Sequence, residues 1–349
     1  MLNKDQRVAI FMEGATGDAR GKMGFGVIRY SPNPIACVVD SEQAGRDMAE
    51  VAGMPKAVPI VATVEEAVRR GAEVLILGIA PTGGLIPSEW YATIDDAVAR
   101  GLSILNGLHD LLAPRYPNLD PGQWVWDVRV EPEGLQPSSG RAAGLGNLRV
   151  LLVGTDMGIG KMTTGLEIFH AARAKGIDAE FVATGQIGIT VTGRGVPLDA
   201  IRMDFAAGAI EAEVMRAAGA ELVLIEGQGS IVHPGSSATL PLIRGAMPTH
   251  LVLCHRAGQR HLWRLPEVPI PPLSCVARLY QDIAAACGTY KAPTVAAVAL
   301  NTFHIESDDE AARACRLVED ETGLPCLDPV RHGADRLLLR ILDPSNVQN

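Results

Sequence analysis

The chain has 349 residues, 47% of them apolar, more than a single core usually holds, so two packed domains are expected. A net charge of −9 and a pI near 5.4, with no basic block, exclude the electrostatic footprint that nucleic acid or an anionic membrane surface requires. No stretch approaches the ~18 uninterrupted apolar residues of a membrane-spanning helix, and the opening MLNKDQRVAIFMEG is not laid out as a signal peptide, so a cytoplasmic protein is expected. The six cysteines show no metal-ligand spacing and fit free thiols in a reducing compartment.

In chain order, RVAIFMEG predicts a strand running into a Gly-rich turn, IACVVDS a second strand ending at Asp40, VATVEEAVRRGA a helix, and EVLILGIAP a third strand. SEWYATIDDAVARG predicts a helix capped by Ser88 and closed by Gly101. This alternation implies a parallel sheet covered by helices, a Rossmann-like domain. The glycines of MEGATGDARGKMGFG only approach a dinucleotide fingerprint, although Asp40 stands where a ribose-binding acid would. From 114 to 146 the chain is dense in Pro, Gly and Ser, which places the domain junction at 120–145. The expected class is α/β: a Rossmann-like parallel-sheet domain over 1–135, then a P-loop NTPase-like α/β domain over 136–349. Strands of the second are predicted at 148–153, 179–184, 221–226, 249–254 and 294–300.

GTDMGIGKMTTG, residues 154–165, lies between a predicted strand and a predicted helix. Gly154, Gly158 and Gly160 allow backbone N–H groups to converge on an anion, Lys161 adds a charge, and the following helix adds its positive end. The first glycine lies one residue earlier than G-x-x-x-x-G-K-[ST] requires, and Met162 replaces the hydroxyl that usually ligates Mg²⁺. Thr163 or Thr164 could replace that hydroxyl in a shifted register. Met162 shares helical spacing with Leu166 and Phe169, so it also reads as a core contact. ELVLIEGQGSIVHPG delivers Glu226 at a strand end, with His233 in the loop behind it; either could take a proton, and Glu226 could equally cap or bridge a neighbouring loop. FVATGQIGITVTGRG is read as a strand and a loop carrying Gln186 and Arg194, suited to a carboxylate or phosphate, or as a plain surface loop. Asn301 ends the last strand, where its amide could read a nucleobase edge.

Together VGTDMGIGKMTT, IEGQGS and ALNT resemble P-loop proteins related to dethiobiotin synthetase. The fuller set, with FVATGQIGI, EGQGSIVHPG, EGATGDARGKM and LNGLHDLL, resembles a bacterial family whose members are D-glutamate N-acetyltransferases using acetyl-CoA. The resemblance implies that Gly154, Thr155, Asp156, Gly158, Gly160, Lys161, Met162, Thr163 and Asn301 hold acetyl-CoA without hydrolysing a phosphate. It implies Glu226 or His233 as the base, and Gln186, Arg194 and Arg202 as ligands of a small acidic amino acid. The competing reading is an ATP- and Mg²⁺-dependent ligase or kinase, in which Lys161, Thr163, Asp156 and Glu226 organise Mg-ATP; Met162 counts against it. A nucleotide-sensing module without catalysis is a third. A homo-oligomer is expected from base rates.

Overall fold

The computed structural model describes residues 2–81 and 83–343. They form two compact units, one of the described residues up to 131 with 186–200, the other of 132–185 with 201–343.

The first unit is built on six strands, β1 (Val8–Phe11), β2 (Ile35–Val39), β3 (Ile60–Val61), β4 (Val74–Leu77), β5 (Ser103–Asn106) and β6 (Val125–Asp127). Every neighbouring pair is parallel, in the order β3-β2-β1-β4-β5-β6. This is the doubly wound order that the alternating pattern implies. The strands read as apolar runs because both faces are covered, and Ile10, Leu75 and Ile76 are fully buried. Two elements differ from expectation. β6 lies inside the Pro- and Gly-rich stretch that predicts a junction; the Asp127 carboxylate accepts from Asn106 Nδ2 (2.8 Å), Leu112 N (3.0 Å) and Ala113 N (2.9 Å), tying this short strand to the loop after β5. Residues Gln186–Thr192, predicted as loop, form a helix packed on the helix Lys22–Tyr30. Burial of Ile189 and Val191 offsets the weak helix propensity of its glycine and threonines. Thr190 and Thr192 bond back to the carbonyls of Gln186 and Gly188, both at 2.8 Å.

Asp40 is fully buried at the end of β2. It accepts from Gly14 N (3.2 Å), Thr16 Oγ1 (2.6 Å) and Glu42 N (3.1 Å), so the acid placed like a ribose ligand is committed to its own glycine turn.

The second unit holds β7 (Leu148–Gly154), β8 (Ala179–Val182), β9 (Leu222–Ile225), β10 (His250–Arg256), β13 (Thr294–Asn301) and β14 (Cys326–Leu327) in the order β14-β13-β10-β7-β9-β8, again parallel throughout. Between β10 and β13 a hairpin, β11 (His261–Leu262) with β12 (Leu265–Pro269), follows Arg256. β7 sits between β10 and β9, so its C-terminal end opens at the middle of the sheet edge where α/β proteins place ligands.

Candidate phosphate-binding site

β7 ends at Gly154, and the helix Lys161–Ala174 begins seven residues later. Gly158 and Gly160 have φ of +65° and +107°, values that only glycine adopts cheaply, and they turn the loop back over the helix start. Lys161 lies beneath the loop, 6% exposed, and its Nζ donates to Asp156 O at 2.7 Å. Burial pulls its ammonium down to about 8; Cys254, Asp156 and Glu226 push the other way. A dry cation under a glycine loop at a helix N-terminus suits an anion. Met162 and Thr163 are half-buried in the first helical turn.

The rest of the loop is fastened from several directions. Thr155 Oγ1 lies 2.8 Å from His255 Nδ1, and burial lowers that imidazole to about 4, so His255 is neutral at ordinary pH. Asp156 is 1% exposed; Oδ1 accepts from Met157 N (2.7 Å), and Oδ2 from Gln259 Nε2 (2.6 Å) and Trp263 N (2.7 Å). The carboxylate therefore holds the β11–β12 hairpin. Asn301 donates from Nδ2 to Ile159 O (3.2 Å) and accepts at Oδ1 from Phe303 N (3.0 Å), pinning the loop to the end of β13. Phe303 beside it is 92% exposed.

On the other side, β9 delivers Glu226, 4% exposed. Its Oε2 accepts from Thr184 N (2.9 Å) and Gly185 N (3.1 Å), and Oε1 from Gln228 Nε2 (3.3 Å). Gly227 passes so close to β7 that a Cβ would stand 1.6 Å from Leu152 O and 3.0 Å from the Lys161 chain. Glu226 thus approaches Lys161 because no side chain intervenes. His233, 8% exposed, accepts at Nδ1 from Gly235 N (3.0 Å), so its neutral ring carries the proton on Nε2. Sequence reasoning missed Tyr280, the largest fully buried side chain. Its Oη donates to Gly154 O (2.8 Å) and accepts from Ile231 N (3.0 Å), bridging the phosphate loop to the Glu226–His233 loop. Burial pushes its phenol up. In the sequence it is only one of several inward residues of the amphipathic helix Leu273–Ala285.

Beside the loop, at the C-terminal ends of β10 and β13, is a cavity of about 650 Å³ walled by His255, Gln259, Leu273, Leu300, His304 and Leu317. That volume suits a small-molecule site. The buried Gln259 Oε1 has no partner among the described residues.

Gln186 and Arg194 belong to the first unit. There the Gln186 side chain lies against Gly107, at the turn after β5, and Arg129 pairs with Asp199 at 3.2 Å. Arg202 belongs to the second unit, at the N-terminus of the helix Met203–Arg216, and lies over the Phe205 ring at 4.9 Å.

Residues 136–338 match the P-loop domain of unknown function DUF1611, and residues 41–131 match its Rossmann-like N-terminal domain. A D-glutamate N-acetyltransferase of Tritonibacter scottomollicae is 38% identical over 282 residues, covering 79% of this chain and 83% of that protein. One from a Pseudoalteromonas species is 34% identical over 285 residues, with the same two shares. The crystal structure of a DUF1611 family protein from Anabaena variabilis is similar over 97% of this chain and 99% of that one, with a TM-score of 0.93 and 48% identity.

Proposed function

The chain belongs to the DUF1611 family, and from that premise we propose that it transfers the acetyl group of acetyl-CoA to the α-amino group of D-glutamate or a close acidic amino acid, in D-amino acid catabolism. The names of its relatives support an N-acetyltransferase. The observation that carries the cofactor assignment is a phosphate cradle whose usual Mg²⁺-organising groups are otherwise occupied. Met162 has no hydroxyl, and both Asp156 oxygens accept hydrogen bonds from the protein. Such a loop suits phosphates that are held rather than cleaved, and CoA carries a diphosphate and a 3′-phosphate.

Gly158, Gly160 and Lys161 hold those phosphates, with Gly154, Thr155, Asp156, Met162, Thr163 and Asn301 shaping the cradle. The transfer forms a bond from the substrate nitrogen to the thioester carbonyl carbon and breaks the C–S bond. One ammonium proton goes to a base before the nitrogen attacks, and as the C–S bond breaks the second N–H proton passes to the departing sulfur, so CoA leaves as the free thiol. Glu226 is assigned as that base, its carboxylate oriented by Thr184 N and Gly185 N. His233, with Nδ1 occupied, offers an N–H at Nε2 and is assigned to the developing oxyanion. Arg202, in the same unit as Glu226 and His233, is assigned to the substrate carboxylates.

A thermal-shift comparison of acetyl-CoA, CoA, ATP with Mg²⁺ and NAD tests the cofactor. A ligand at 100 times its Kd stabilises by about 2.7 kcal/mol. Acetyl-CoA is expected to stabilise, and to release free thiol when D-glutamate is added. Stabilisation by ATP with Mg²⁺ alone overturns the proposal in favour of an ATP-dependent ligase. Thiol release with none of D-glutamate, L-glutamate and D-aspartate overturns the substrate class.

A further inference from the structure

Where β7, β10 and β13 begin, at the sheet edge opposite the phosphate loop, the second unit encloses a cavity of about 400 Å³. Its walls are largely apolar, with Leu145, Leu148, Ile243, Met247 and Ala284. Arg149, His250 and Lys291 also line it, and among the described residues no aspartate or glutamate does, in a chain of net charge −9. Arg149 is 4% exposed. Its Nε and Nη1 donate to four backbone carbonyls, of Leu145, Asn147, Ala246 and Met247, and to Asn147 Oδ1. All five acceptors are uncharged, and Nη2 has no partner among the described residues. His250 is fully buried; Nδ1 lies 3.0 Å from Thr249 Oγ1, and Nε2 has no partner among the described residues.

Buried guanidinium groups are ordinarily matched by an anion, because an uncompensated charge in a dry interior is costly. The end of the helix Thr239–Ala246 supplies part of the match through the Ala246 and Met247 carbonyls. Burial still pulls Arg149 below its ordinary value, with no carboxylate opposing it. An apolar chamber with one buried cation, a second cation in Lys291 and an unpartnered imidazole nitrogen fits an amphiphilic monoanion better than a phosphate dianion, which needs several converging donors.

We propose that this cavity binds a small organic carboxylate, its head group on Arg149 and Lys291 and its apolar body against Leu148, Ile243 and Met247. It is separate from the phosphate loop, and nothing in it depends on acetyl transfer.

Isothermal titration of the full chain with sodium hexanoate tests the site, using Lys291→Glu and Ala292→Trp, both at exposed wall positions, and Lys161→Ala in the phosphate loop. Hexanoate is expected to bind wild type and Lys161→Ala alike, and at least tenfold more weakly to each wall variant. Sodium phosphate is the companion probe and is expected to lose its heat in Lys161→Ala but not in Lys291→Glu. Absence of hexanoate binding to wild type overturns the site, as does equal binding to wild type and both wall variants, or loss in Lys161→Ala. Phosphate heat lost in Lys291→Glu and retained in Lys161→Ala overturns the monocarboxylate assignment. Arg149→Gln is expected to abolish hexanoate binding; should it fail to fold, the two exposed variants decide alone.

Discussion

Lys161 links the phosphate loop to pH. Its folded-state value of about 8 lies below its ordinary 10.5. Between those values the unfolded chain holds a proton that the folded protein has released, so stability of the free protein rises with pH through that window. The penalty, about 3 kcal/mol by the usual conversion of pKa differences, is fully felt below pH 8. A phosphate ligand favours the charged lysine, so on the proposed cofactor role affinity is expected to be full below pH 8 and to fall above it. The thermal shift from CoA is expected to shrink above pH 8 in wild type, to stay level in Lys161→Arg and to vanish in Lys161→Ala; a level wild-type profile contradicts this. Gly227 makes a second prediction at this scale. A Cβ there meets Leu152 O at 1.6 Å, whereas one on Gly219 meets nothing within 4 Å. Gly227→Ala is expected to cost about 3 kcal/mol in urea unfolding, and Gly219→Ala less than about 0.5 kcal/mol. The sequence marks Lys161 by its glycines. It does not reveal that Asp156 and Asn301 are fastened to the hairpin and to the loop itself, because those partners stand more than a hundred residues away.

Among elements, the helix Leu273–Ala285 does more than cover the sheet, because Tyr280 joins two loops of the site. Tyr280→Phe keeps the ring and removes the hydroxyl, leaving Gly154 O and Ile231 N without that partner. A loss of about 2 kcal/mol is expected from the stranded groups, read as a lower urea midpoint, together with weaker CoA binding by titration. A variant that loses stability and keeps its CoA affinity would show that the bridge is structural only. Legibility at this scale follows chemistry and length. Long apolar strands such as β7 and β13 are plain in the sequence, as is the strand–loop–helix of the phosphate cradle. β6 is hidden because three residues with two Pro- and Gly-rich flanks carry no period. The helix Gln186–Thr192 is hidden for a different reason. Its glycine and β-branched residues argue against a helix, and the surface that stabilises it, Lys22–Tyr30, is contributed about 160 residues earlier.

For the whole molecule, the consequence lies in connectivity. The chain leaves the first unit at Glu131, returns to it for residues 186–200 and then completes the second. A cut at 135/136, natural from the sequence, therefore separates the helix Gln186–Thr192 from the helix on which it packs. Residues 136–349 expressed alone carry Ile189, Val191, Val196 and Leu198, all buried in the full chain, without their partners in the first unit. Unburied apolar side chains of this size each forfeit roughly 1.5–3 kcal/mol. The isolated fragment is expected to keep the β7 phosphate loop and its CoA-dependent thermal shift, because the cradle contacts from Gly154 to Asn301 fall within the second unit. It is also expected to be cleaved within residues 186–200 by a low concentration of protease that leaves the full chain intact, since an unpacked segment offers its backbone to the enzyme. Mass spectrometry of the first fragments decides the matter. First cleavage elsewhere, with 186–200 protected, would mean that this segment is held by the second unit rather than the first.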